Sequence, residues 1–368
     1  MVEWKKLGEV CTFNRGRTIT AKDAVDGGIP VIAGGQAPSY YHNEANRNGE
    51  SITVAGSGAY AGFVSYWNQP IFVSDAFTVD PSDALTHKYL FHWLKKNQTN
   101  VFATQKGAGV PHVHGKDIAN FIIPIPSLEE QTRIVGILDT FTASIDNLKE
   151  QIAQRRKQYE YYRDQLLDYE GKEGVEMKKV DDICEVKGRI GFRGYTREDQ
   201  VEKENGALVL TATNISNQRI DYSNNTYITW EKYYESPEIM VTNGDILVCQ
   251  RGSIGKIAIV DNLIEKATIN PQLLLLKNIK IDNRYLTYYF LSCFFQSKLS
   301  QIIGYGTIQM ISQKDFKNLT IPVPCLQEQR RIVTILDTFE SSIQNLEAQL
   351  SQREKQYEYY RNKLLTFE

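Results

Sequence analysis

Between Ile134 and Leu166 the apolar positions advance by alternating steps of four and three: Ile134, Leu138, Phe141, Ile145, Leu148, Ile152, then Tyr159, Tyr162 and Leu166. Arg155 fills the one polar slot. This is a heptad seam held for about five heptads, and it predicts a long helix that needs a partner helix along its length. The chain contains such a partner. Ile332, Leu336, Phe339, Ile343, Leu346, Leu350, Arg353, Tyr357, Tyr360 and Leu364 repeat the seam at a constant offset of 198. Across Gln131–Glu170 and Gln329–Glu368, 26 of 40 positions are identical without a gap. A repeat of this kind makes the protein two similar halves.

Each copy follows a Pro-x-Pro step, Pro124-Ile125-Pro126 and Pro322-Val323-Pro324. Ser127 and Glu130 fit a capping box at the first helix start, whereas Cys325 takes the cap position of the second. The predicted helices are therefore 127–170 and 325–368, each spanning about 60 Å. Their matching seams call for pairing within one chain. A parallel pair would require the intervening segment, 171–324, to carry the chain back along the whole first helix. An antiparallel pair needs no such return, so the expected arrangement is antiparallel.

The remaining segments, 1–126 and 171–324, carry a different pattern. Ile29–Ile32, Ser51–Val54 and Ala61–Tyr66 read as short strands between Gly-rich turns. Residues 87–94 have helical spacing, and Phe121–Ile123 reads as a strand entering the Pro-x-Pro step. The second segment follows the first in outline: Lys178–Cys184 parallels Lys5–Cys11, and Gly244–Lys256 takes the place of Ser51–Tyr60. Arg284-Tyr285-Leu286 matches Lys88-Tyr89-Leu90, and Gln313–Phe316 matches Gly115–Ile118. The expected fold is α+β, with two globular domains (1–126 and 171–324) separated by the long helices in an internal two-fold pseudo-repeat.

Composition narrows the class. At 368 residues the chain suits two domains rather than one core. No apolar run reaches membrane-spanning length, and the start lacks the apolar core of a signal peptide. Five scattered cysteines without a Cys-x-x-Cys pair suggest reduced thiols and a cytoplasmic location, away from any membrane. The net charge of −2 does not mark a nucleic-acid binder. The acidic excess lies on the helices, with 12 Lys+Arg against 16 Asp+Glu, while residues 1–126 (11 against 10) and 171–324 (19 against 18) are near neutral. Any basic face must come from clustering.

No nucleotide-binding Gly-x-x-x-x-Gly-Lys-Ser/Thr loop is present, so nucleotide hydrolysis in this chain is not expected. Asn270-Pro271-Gln272-Leu273 is only superficially like the Asn-Pro-Pro-aromatic motif of amino-methyltransferases, lacking the second proline and the aromatic. His112 and His114 lack the carboxylate or cysteine company of a metal site, so the expectation is no metal. What remains is binding chemistry in Gly-rich loops. In the first half the candidates are Arg15, Arg17, Ser57, Tyr60, Lys106, His112, His114 and Lys116. In the second they are Lys187, Arg189, Arg193, Gln250, Arg251, Ser253, Lys256, Gln309, Gln313 and Lys314. Arg and Lys suit guanine edges and phosphates, and Gln suits adenine. Ordinary surface turns are the plainer reading of any single one.

These residues carry a family likeness. Ile123-Pro124-Ile125-Pro126-Ser127-Leu128-Glu129-Glu130-Gln131-Thr132-Arg133-Ile134-Val135 and its counterpart at 321–333 resemble the signature of the DNA-specificity subunit of type I restriction-modification enzymes. Gly244–Val248 with Arg251-Gly252, and Tyr285-Leu286, fit the same family, whereas the first half has Ala55-Gly56-Ser57-Gly58 where the family commonly shows an arginine-glycine step. The resemblance implies a chain without catalytic activity that reads a two-part, asymmetric sequence in double-stranded DNA. It implies two target-recognition domains on spacer helices. Two methyltransferase subunits using S-adenosylmethionine and two restriction subunits using ATP and Mg2+ would dock, with no cofactor in this chain. Tyr161, Arg163, Tyr359 and Arg361 are the expected docking residues on the helices. Two other readings stay open on the sequence: a coiled-coil scaffold with protein-binding end domains, and a self-contained adenine methyltransferase.

Overall fold

The computed structural model describes residues 2–22, 24–169, 172–191, 194–304 and 309–367. It divides into two compact units, Met1–Gln151 with Leu346–Glu368, and Ile152–Asn345. The long helices run Leu128–Leu167 and Leu326–Leu364, so each contributes to both units.

In the first unit a four-stranded antiparallel sheet has the spatial order Cys11–Arg15, Ala76–Pro81, Glu50–Ala55, Val64–Asn68. Glu3–Lys6 pairs antiparallel with Ile122–Ile125, and a three-stranded sheet is built from Tyr40–His42, Ile29–Ile32 and Phe72–Val73. The helix His87–Lys96 is capped by Thr86, whose hydroxyl accepts from the Tyr89 N–H at 3.3 Å. Leu7, Ile52, Val54, Leu90, Leu94 and Ile118 form the core, joined by Ile134 and Leu138 from the first long helix and by Leu365 just past the end of the second.

The second unit repeats this frame. Its four-stranded antiparallel sheet runs Glu185–Gly188, Leu273–Lys277, Ile246–Cys249, Ile257–Ile259, the same order of equivalent strands. Glu176–Lys179 pairs with Thr320–Val323 as Glu3–Lys6 does with Ile122–Ile125. Tyr285 in the helix Asn283–Leu291 donates to the Pro322 carbonyl at 3.0 Å, as Tyr89 donates to Pro124 at 2.9 Å. The departure is in the smaller sheet: Gly206–Leu210 lies between Thr226–Thr229 (antiparallel) and Ala267–Ile269 (parallel) as Ile29–Ile32 lies between Tyr40–His42 and Phe72–Val73, but two further strands, Gln200–Val201 and Met240–Val241, widen it to five, with its own core around Leu208, Leu247, Ala267 and Leu275. That enlargement accounts for the poor match between the halves outside their shared anchors.

The long helices are antiparallel within each unit. In the first, Phe141 stacks on Tyr360 (5.2 Å, 23°) and Lys149 meets Glu354 at 3.9 Å, so numbers rise on one helix as they fall on the other. In the second, Tyr162 stacks on Phe339 (5.4 Å, 28°) and Tyr169 lies in the field of Glu328. The polar seam positions have aromatic seats: the guanidinium of Arg353 lies 5.7 Å from the Phe141 ring and that of Arg155 5.9 Å from Phe339. A flat cation over a ring face needs no carboxylate to be tolerated in a seam.

Three local expectations are corrected. Ala61–Phe63 belongs to a turn rather than a strand, because Phe63 and Ala61 donate to Tyr60 and Gly58 and Gly62 has φ +89°. The strand expected at Phe121–Ile123 is Ile122–Ile125 and contains Pro124. Proline lacks a ladder donor, but a two-stranded ribbon tolerates it at an edge. The capping box at Ser127 is half made. Its hydroxyl accepts from the Glu130 N–H at 3.3 Å, while the Glu130 carboxylate turns to Arg133. The Glu130 carboxyl is held below the usual range by that Arg133 bond.

Candidate nucleic-acid interface

In both units the same backbone framework builds a loop cleft at the end of the four-stranded sheet. In the first unit Lys106 and His112 exchange N–H···O bonds at 2.9 and 2.8 Å, closing a hairpin over 107–111. Val113 then donates to Gly56 (3.0 Å), and Gly56 donates to Asp75 (3.0 Å). In the second unit Gly304 donates to Met310 (3.1 Å), Ile311 donates to Gln250 (3.0 Å), and Gln250 donates to Gln272 (2.9 Å). Ser57 bridges His112 as Arg251 bridges Met310. Ser57 therefore occupies the place of the arginine in Arg251-Gly252, Asp75 that of Gln272, His112 that of Met310 and Lys116 that of Lys314.

The first cleft, of about 400 Å3, gathers Arg15, His112, His114 and Lys116 around Asp75, with Phe13 and Phe77 on its wall. The rings of His112 and His114 lie parallel, with centroids 6.4 Å apart and planes within 3°. Gly115 lets the loop lie on Phe13, since a Cβ there would come within 2.8 Å of it. Arg15 and Lys116 are exposed, and Ser57 donates to the Asp75 carboxylate. Lys106 is tied to Asp117 at 2.7 Å, which holds that carboxyl low. Arg17 stands apart, over the Phe72 ring at 5.0 Å and beside Glu44 at 3.5 Å. Tyr60 is exposed on the neighbouring turn. Asp75 is absent from the candidates read from the sequence, which are basic, amide and hydroxyl side chains of Gly-rich loops.

In the second cleft Gln250 donates to the Pro271 carbonyl (2.9 Å) and Gln313 to that of Val186, both beside Gly188. Arg251 reaches the Met310 sulfur at 3.5 Å, and its Nε is enclosed without a partner. Asn270, Pro271 and Gln272 form a turn in which Asn270 and Gln272 bond each other at 3.0 Å. Ser253, Gln309 and Lys314 are exposed, Lys256 reaches the Ile215 carbonyl at 3.2 Å, and Lys187 pairs with Glu185 at 3.0 Å. Arg189 is drawn inside instead: Nε donates to Ile269 O and Nη2 to Thr268 Oγ1, both at 3.0 Å. Arg193 lies outside the described residues. Among the described residues no group of three His, Cys, Asp or Glu could hold a metal ion.

On the long helices the four expected docking residues divide. Tyr161 and Tyr359 are 62% and 59% exposed. Arg163 is buried against Asp164 (2.9 Å) and the Tyr159 ring (5.6 Å), and Arg361 folds over Tyr357 at 5.2 Å. Tyr162 and Tyr360, although on the seam, keep substantial exposure and stand edge-on to Tyr161 and Tyr359. Gln131 and Gln329, in the repeated signature, are buried clamps. Gln131 accepts from the Thr86 N–H and donates to Pro126, and Gln329 accepts from Asp282 and donates to Pro324, at 2.8–3.0 Å.

The chain matches the family model described as "Type I restriction modification DNA specificity domain" over residues 1–155 and 172–354. It is 29% identical over 402–416 residues to two curated relatives, one being the specificity subunit of an Escherichia coli type I restriction enzyme (100% of this chain, 94% of that one). It is 27% identical to the specificity subunit of a Methanocaldococcus jannaschii type I restriction enzyme, covering 87% of this chain and 79% of that one. Its fold is similar to the crystal structure of a type I restriction-modification S subunit from M. genitalium, with a TM-score of 0.63 at 17% identity over 100% of this chain and 97% of that one.

Proposed function

The chain belongs to the type I restriction-modification DNA specificity family, and from that premise we propose that its two loop clefts read the two parts of one asymmetric double-stranded DNA site. It is the non-catalytic specificity subunit, working with methyltransferase and restriction subunits. The observation that supports the two-part reading is the matched cleft: one backbone framework, twice, with Ser57, Asp75 and His112 of the first unit replaced by Arg251, Gln272 and Met310 in the second while a lysine stays at 116 and 314. Arg15, Lys116 and Lys314 stand exposed where phosphates would pass, and side chains deeper in each cleft would meet base edges in the major groove. The antiparallel helices would set the gap between the half-sites.

We assign S-adenosylmethionine to the methyltransferase subunits, ATP and Mg2+ to the restriction subunits, and no cofactor to this chain. The turn at 270–272 is bonded within itself, which gives a self-contained methyltransferase no support. No helix among the described residues is long and apolar enough to cross a membrane, and a cytoplasmic location follows from the DNA substrate. The test is methylome sequencing of cells carrying this chain with its methyltransferase partner. A two-part motif is expected, and a single continuous motif, or none, would defeat the reading.

A further inference from the structure

Within the first cleft one side chain has the opposite charge to its surroundings. The Asp75 carboxylate lines the floor among Arg15, His112, His114 and Lys116, yet no Lys or Arg among the described residues pairs with it. Among the described residues its one side-chain hydrogen bond comes from the Ser57 hydroxyl to Oδ2, and a carboxylate can accept several more. Glycines bring the backbone close on both sides: a Cβ on Gly56 would lie 3.3 Å from Oδ1, and one on Gly34 would meet Ser57 O at 2.3 Å. The cradle is thus closely fitted, while the carboxylate inside it is under-used.

The second cleft holds the complementary deficiency at the equivalent place. Arg251 stands where Ser57 stands, with its Nε enclosed and unpartnered and only a methionine sulfur against Nη2. Gln272 stands where Asp75 stands. On the same backbone framework the first cleft holds a carboxylate and the second a guanidinium, whose Nε is enclosed within the protein.

Building on the DNA-reading function above, we propose that Asp75, held by Ser57, is a specificity-determining residue of the first domain. It accepts a hydrogen bond from the exocyclic amine of cytosine N4 or adenine N6 in the major groove. Guanine and thymine on the faced strand present O6 or O4 there, and two acceptors repel. A lone carboxylate near DNA is repelled by phosphates, and Arg15 and Lys116 on the rim offset that repulsion. In the second domain Arg251 serves the same position with donors, selecting guanine O6 and N7. No covalent step is involved.

The test is methylome sequencing with the full methyltransferase complex carrying Asp75→Asn, Asp75→Ala or Ser57→Ala, alongside the unchanged chain. With Asp75→Ala, one position of the first half-site that requires cytosine or adenine should relax to accept all bases. The ratio of specific to non-specific DNA binding should fall about tenfold, with the second half-site unchanged. Non-specific binding should hold or tighten, since a negative charge is removed. If Asp75→Ala does not assemble, the isosteric Asp75→Asn carries the test, and it should change the base preference at that one position. A wild-type motif whose first half-site changes at no position in either substitution overturns the proposal while leaving the DNA-reading function intact. Absence of any two-part motif from the unchanged chain overturns the function itself.

Discussion

The Nδ1 of His92 meets the hydroxyl of Tyr357 at 3.0 Å, across 265 residues of chain. On its other side the same ring reaches Asp139 through Nε2 at 2.9 Å, and Asp139 is also bonded by Lys88. One imidazole therefore ties the helix His87–Lys96 to both long helices within the first unit. In the second unit Arg284 and Tyr288 hold Asp337, and Tyr288 sits edge-on to Tyr159 at 6.4 Å. The seat is the same and the chemistry differs.

His92 is 1% exposed, so its removal would open a cavity and take one partner each from Tyr357 and from Asp139, which keeps Lys88. His92→Ala should cost about 2–4 kcal/mol of stability, read as a lower urea midpoint of the full chain. A midpoint within error of the unchanged chain would mean that water replaces the ring.

Burial alone would raise the Asp139 carboxyl, but hydrogen bonds from His92 and Lys88 outweigh it and hold the group below its ordinary value of 3.8. A carboxylate depressed in the folded state contributes stability above its unfolded value of about 4, and that stability is lost as pH falls through the folded value. Asp139→Asn should therefore flatten the acid branch of the stability curve below about pH 4. Parallel acid branches for the two proteins would assign the loss to other carboxylates.

Lys116 is exposed on the cleft rim and is expected to contact phosphate. Lys116→Ala should weaken binding to all DNA sequences alike and reduce the slope of log K against log salt by about 0.9. Titration at several salt concentrations reads this directly, and an altered methylation motif would contradict a phosphate role.

Tyr161 and Tyr359 are exposed and meet Tyr162 and Tyr360 edge-on, with Lys363 over the Tyr359 ring at 5.9 Å, whereas Tyr162 and Tyr360 stack on Phe339 and Phe141. Tyr161→Ala with Tyr359→Ala should reduce methyltransferase subunit capture in native mass spectrometry without lowering the melting temperature. Tyr162→Ala with Tyr360→Ala should lower both. Full capture by the first pair would move the docking surface elsewhere.

Lys149 and Glu354 face each other, so Ile145–Gln151 and Leu350–Gln356 are matched heptads. Deleting both removes about 10 Å of helix, about three base pairs of DNA. The motif should keep its two halves and lose about three bases of gap, and an unchanged gap would end the spacer role.

The repeat, the seam and the antiparallel direction were legible because a helix writes its burial into local spacing. The cleft was only half legible. Arg189 looked available in its Gly-rich loop, but its partners Thr268 and Ile269 lie 79 and 80 residues away. Arg163 and Arg361 fold onto rings one helical turn back, which a search for exposed charge passes over. Asp75 gave no local signal at all, since its importance comes from what surrounds it. The place of Ser57 opposite Arg251 left one trace, the glycine that follows each, Gly58 and Gly252, both at positive φ, and the backbone bonds fix the match.

Beside side-chain ties at Lys106–Asp117 and Arg251–Met310, the hairpin at 107–111 and the loop that Gly304 and Met310 close are fastened by main-chain atoms. Every residue type but proline carries those atoms, so selection can rewrite the side chains at these places without loosening the loop that bears them. Such a frame separates inheritance of shape from invention of preference. A lineage could change which invaders it cuts while its folding instructions stay untouched.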